Sequence, residues 1–72
     1  MGHITIFKTS VNTNRKIRRV KGILNGIKEI DQWNFDLEDC DNILRIESRD
    51  NTITAKVSQN LQKMGYLCIE LN

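Results

Sequence analysis

Asn14-Arg15-Lys16-Ile17-Arg18-Arg19-Val20-Lys21-Gly22-Ile23-Leu24-Asn25-Gly26-Ile27 is the stretch that decides the fold. Ile17, Val20, Ile23, Leu24 and Ile27 recur at helical spacing and define one apolar stripe, with Arg15, Arg18, Arg19 and Gly22 opposite it. Thr13 or Asn14 can cap the start of this helix, and Gly26 can end it. A helix with one apolar stripe needs a surface to cover, so the segments on either side must supply one.

They read as strands. On the N-terminal side, His3 to Lys8 alternates and is rich in β-branched residues, followed by a polar loop from Thr9 to Asn14 broken only by Val11. On the C-terminal side, Ile30 to Leu37 alternates with Trp33, Phe35 and Leu37 on one face, Glu38 to Asn42 forms a turn, and Ile43 to Glu47 completes a hairpin. Asp50, Asn51 and Thr52 offer caps to a second helix with the stripe Ile53, Val57, Leu61 and Met64. Gly65 ends that helix in a left-handed conformation. Tyr66 to Leu71 is the last strand, with Leu67, Ile69 and Leu71 expected in the core and Cys68 on the open face of the sheet. The order β-α-β-β-α-β predicts an α+β, ferredoxin-like sandwich, with two helices on one face of a four-stranded antiparallel sheet and residues 1–72 forming one domain.

Composition narrows the rest. The chain of 72 residues is near the lower limit for folding without staples, and its 39% hydrophobic and 28% charged residues suit a globular, soluble domain. No apolar run approaches the ~20 residues that span a bilayer, and no signal-peptide pattern points to export. The two cysteines, Cys40 and Cys68, make no disulfide framework and are read as free thiols, which leads us to expect a cytoplasmic location. The chain has no proline, so no slow prolyl step is expected in folding. The net charge of +2 is small, but Arg15, Lys16, Arg18, Arg19 and Lys21 crowd one segment, while Asp36, Glu38, Asp39 and Asp41 crowd another.

The element order, together with Lys63-Met64-Gly65-Tyr66, Phe7-Lys8-Thr9-Ser10-Val11, Val20, Leu24-Asn25 and Asp41-Asn42-Ile43-Leu44, resembles heavy-metal-associated domains. These are copper-chaperone-like modules also found at the N-termini of metal-pumping ATPases, and the resemblance spans nearly the whole chain. The family carries Met-x-Cys-x-x-Cys at the start of its first helix. Matching the helix core places Val11 at the methionine, Thr13 at the first cysteine and Lys16 at the second. No cysteine lies between Met1 and Asp39, so a shift of register restores nothing. A soft ion such as Cu(I) is held by thiolates. A hydroxyl is a poor substitute, and at ~4 Å an ammonium repels a unit cation by about 4 kcal/mol at an effective dielectric of 20. The resemblance therefore implies the fold and a degenerate, metal-free loop.

Three functional readings follow from the sequence. The first is a small protein-interaction or regulatory module, since the resemblance implies partner contact through the first loop and the basic face of the first helix. The second is a metal-binding protein with non-standard ligands, chiefly Cys40 with Asp39 or Asp41, or a metal shared across a dimer. The third is an anion-binding module at Thr13, Asn14, Arg15 and Lys16, using the positive end of the helix dipole. Arg19 and Tyr66 extend the expected contact surface. A solvated, ordinarily capped helix end is the plainer account of the same residues.

Nucleic acid fits poorly, because strand Ile43–Glu47 has no aromatic stacking position and the first strand offers only Phe7. His3 is a lone terminal histidine, Trp33 reads as packing, and the acidic turn lacks the glycine and terminal glutamate of a calcium loop. With no nucleophile-base pair, phosphate-cradling loop or paired carboxylates in a cleft, no catalysis and no cofactor are expected.

Overall fold

The computed structural model describes residues 2–50 and 52–71. Its elements are β1 (His3–Thr9), α1 (Asn14–Asn25), β2 (Ile30–Asp36), β3 (Ile43–Ser48), α2 (Ile53–Lys63) and β4 (Cys68–Glu70). They form the expected β-α-β-β-α-β order. The sheet order is β2-β3-β1-β4, and every neighbouring pair is antiparallel. Both helices cover one face of the sheet, as their buried stripes require.

The helix starts follow from local chemistry. Thr13 is extended (φ −139°, ψ 156°), and its Oγ1 accepts a hydrogen bond from the Lys16 amide at 3.1 Å, closing the first turn of α1. At α2, Asp50 Oδ1 accepts from the amide and hydroxyl of Thr52 at 2.9 and 2.6 Å, while Thr52 itself makes no side-chain cap. These bonds hold the Asp50 carboxyl below the usual carboxylate range. The expected cap Asn51 lies outside the described residues. Gly65 leaves α2 at φ +91°, in the left-handed region where a side chain is strained.

The core lies between the layers. Phe7 from β1, Val20 and Leu24 from α1, Leu44 and Ile46 from β3, and Ile53, Val57 and Leu61 from α2 are fully buried. Register explains the selection. Phe7 faces Leu44 and Thr5 faces Ile46 across β1–β3, so the odd positions of β1 point toward the helices. Trp33 packs on this core from β2, and its Nε1 donates to Asn25 Oδ1 at 3.0 Å, tying the end of α1 to the sheet.

Two expectations are corrected. Cys68 is buried at 1% exposure, whereas Leu67, Ile69 and Leu71 are 44–51% exposed, so the last strand presents the opposite face from the one expected. The cause is pairing. Cys68 faces Thr9, which is on the helix side of β1, and this register overrides the hydrophobicity of the alternate positions. Met64 also leaves the α2 stripe. It is the C-cap residue of that helix, 39% exposed, and does not lie against the sheet.

Among the described residues, Thr5 Oγ1 is the buried side-chain polar atom without a hydrogen-bond partner. Burying such a hydroxyl costs free energy that a methyl of the same shape does not. Thr5→Val is expected to stabilise the domain by about 1 kcal/mol, read as a rise in the urea midpoint at unchanged slope. A fall in the midpoint would mean that the hydroxyl has a partner in solution.

Candidate functional site

The first loop is clamped from two sides. The Thr9 amide donates to the Asp41 carbonyl at 3.2 Å, and Thr9 Oγ1 donates to the Asn42 carbonyl at 2.7 Å and accepts from the Val11 amide at 3.2 Å. From the other side, the Ser10 amide donates to the Leu67 carbonyl at 3.2 Å, and the Leu67 amide donates to Ser10 Oγ at 2.8 Å. The β2–β3 turn and Leu67, just before β4, therefore meet the first loop at one end of the sandwich. Asn42 holds its side of the clamp with φ 49°, a conformation asparagine tolerates better than most residues.

Within this frame the sequence-selected residues take distinct places. Val11 is fully buried and anchors the loop in the core. Thr13 is spent on capping, as described above. Lys16 folds back, and its Nζ donates to Asn12 Oδ1 at 2.9 Å, placing an ammonium over the loop. Asn14, Arg15 and Arg19 are exposed along α1. Tyr66 is half-buried against the core, with its amide donating to the Leu61 carbonyl at 3.0 Å. Asn12, Thr13 and Lys16 thus form one hydrogen-bonded unit, while Arg15 and Arg19 stay outside it. Asn12 is the member that sequence reasoning missed. Its only signal was an amide four residues before a lysine, which says little in a loop.

The donor chemistry does not fit a soft metal ion. The two positions that the resemblance matches to thiolates present a hydroxyl already accepting a helix amide and a cation bound to an amide oxygen. Neither supplies the negative charge that such an ion needs.

A second group lies in the β2–β3 turn. The ligand atoms of Asp39, Cys40 and Asp41 come within 4.8 Å of one another. Cys40 is exposed, but Asp39 Oδ1 accepts from the Asp41 amide at 2.8 Å and Asp41 Oδ1 pairs with Lys8 Nζ at 3.5 Å, so both carboxylates already have partners. Cys68 is unlike Cys40. Burial pushes its thiol from 9.0 up to about 11. The folded chain therefore keeps a proton that the unfolded chain loses, and stability is expected to fall as pH rises from about 9 toward 11. A thiol reagent at pH 8 is expected to modify Cys40 rapidly and Cys68 only on unfolding. Two equally fast thiols would contradict the burial.

No helix among the described residues is long and apolar enough to cross a membrane. No protein-family model and no curated protein matches the chain. Solved structures do. The N-terminal domain of ZntA in its apo form superposes with a TM-score of 0.83 at 23% identity, covering 100% of this chain and 96% of that one. Its Zn(II) form gives a TM-score of 0.76 at 24% identity, covering 93% and 89%. The CsoZ metallochaperone gives 0.77 at 13% identity, covering 96% and 99%. At these identities the likeness is one of fold: the chain adopts the ferredoxin-like fold of the ZntA N-terminal domain and of the CsoZ metallochaperone.

Proposed function

We propose that this domain is a degenerate relative of heavy-metal-associated modules, which has given up the metal site of the first loop and keeps that end as a docking surface for a protein partner. The observation that carries the reading is the Asn12–Thr13–Lys16 unit, in which the ligand positions implied by the resemblance are taken by a helix cap and a hydrogen-bonded ammonium. The likeness to a domain solved with Zn(II) and to a metallochaperone supports a metal-linked setting for the partner. Exposed Arg15, Arg18 and Arg19 on α1 suit an acidic partner surface, steering its approach through a salt-dependent field.

The test is titration with Cu(I) and Zn(II) under reducing conditions. The reading expects no tight one-to-one complex with either ion, and a tight one would overturn it. One observation favours a second reading, the proximity of Asp39, Cys40 and Asp41, which would offer a divalent ion one sulfur and two carboxylate ligands. Against it, structural zinc sites draw four ligands from separated positions, whereas these three are adjacent and two are engaged. Replacing Cys40 with serine separates the readings, because only the second predicts lost affinity.

A further inference from the structure

The face of the sheet away from the helices divides into two halves. On the β1 and β4 side, Leu67, Ile69 and Leu71 expose 44–51% of their surface, and Ile4 exposes 40%. Ile69 lies opposite Lys8, and the Leu71 amide donates to the Ile6 carbonyl at 2.8 Å, so these aliphatic side chains form one contiguous strip. Beside it, β3 and β2 present Arg45 opposite Asn34, Glu47 opposite Gln32, and Asp36 opposite Ile43. A contiguous aliphatic strip next to a polar margin is the composition of an interaction surface rather than of a solvated one.

We infer that this open face is an interface between two copies of the chain. Charge selects the occupant. Among the described strand residues, the face carries Lys8 and Arg45 against Asp36 and Glu47, and Lys8 is already paired with Asp41, so the face is not cationic and the chain's excess of +2 lies elsewhere. A second copy meets both signs of charge here rather than a field of like cations. On the exposed side of α1 it would meet Arg15, Arg18, Arg19 and Lys21 with the same cations. A two-fold contact is self-complementary, so a surface with both signs in adjacent positions can set Arg45 against the partner's Glu47 on both sides of the axis.

The edge of β4 offers no easier route. The outward Cys68 carbonyl already accepts from Ser58 Oγ at 3.2 Å and Gln62 Nε2 at 3.5 Å, which blunts strand addition at that edge. The size also fits a weak dimer. The larger molecular extents of 30 and 21 Å cap any one face at about 600 Å² per copy, so an interface here reaches at most the lower end of specific ones once both copies are counted.

Sedimentation equilibrium with a metal chelator present, from roughly 10 µM to 1 mM, tests the inference. The wild-type chain is expected to pass reversibly from monomer to dimer. Ile69→Asp, and the more strand-compatible Ile69→Thr, are expected to weaken the dimer at least about tenfold while keeping the folded amide spectrum. Arg45→Glu alone is expected to weaken it, and Arg45→Glu with Glu47→Arg to restore it, as a contact between these two positions requires. A wild-type monomer throughout the range, a dimer that these variants leave unchanged, or one that forms only without the chelator would overturn it.

Discussion

A chain carrying Thr13→Cys and Lys16→Cys together is expected to bind Cu(I) one to one, and the wild-type chain is expected not to. Two changes act in the same direction. The ammonium disappears, removing a repulsion of about 4 kcal/mol at an effective dielectric of 20, which alone corresponds to roughly a thousandfold in affinity. Two thiolates also appear at the start of α1, where the helix dipole lowers thiol pKa values and favours the anion. The cost is the Thr13 cap, about 1 kcal/mol. The scaffold around the pair remains, because Val11 is buried and the loop is held by bonds from Thr9 and Ser10 that neither substitution touches. Competition with a chromophoric Cu(I) chelator measures the gain. A double variant no better than wild type would mean that the loop backbone itself, and not its side chains, fails to hold the ion.

Phe7→Ala is expected to have the largest effect on stability. Phe7 is fully buried in β1, an inner strand that pairs with both β3 and β4, where it faces Leu44 and Glu70. Truncating such a side chain costs about 3–5 kcal/mol. Domains are stable by only about 5–15 kcal/mol, and a chain of 72 residues belongs at the low end. The variant is therefore expected to lose most of its stability, lowering Tm by roughly 12–40 °C at about 4–8 °C per kcal/mol. Exposed Gln59→Ala on α2 is the control and should stay within about 0.5 kcal/mol of wild type. Circular dichroism melts of the two variants decide it. Equal small losses would mean that the core lies elsewhere.

The fold was legible because helical periodicity is local. The stripe of Ile17, Val20, Leu24 and Ile27 and the stripe of Ile53, Val57 and Leu61 each announce a helix with one buried face, and Thr13 and Gly65 mark boundaries through chemistry that acts within a few residues. The face of β4 was not legible. Leu67, Ile69 and Leu71 look like a core stripe, yet Cys68 is the inward residue, because pairing with Thr9 decides the matter across 59 residues of chain. The loop was half legible. The missing cysteines and the capping hydroxyl can be read from residue types, but the bond from Lys16 to Asn12 depends on a long side chain folding back, which no spacing rule specifies. The same misreading of β4 hid the aliphatic strip on the open face.

On the function proposed above, a capped hydroxyl and a tethered ammonium leave the first loop without affinity for a soft or borderline metal ion. Site-resolved amide spectra recorded during addition of one equivalent of Cu(I), and separately of Zn(II), under reducing conditions test it most directly. The resonances of Asn12, Thr13, Asn14 and Lys16 are expected to stay where they are. Saturable shifts of those four at one equivalent would contradict it.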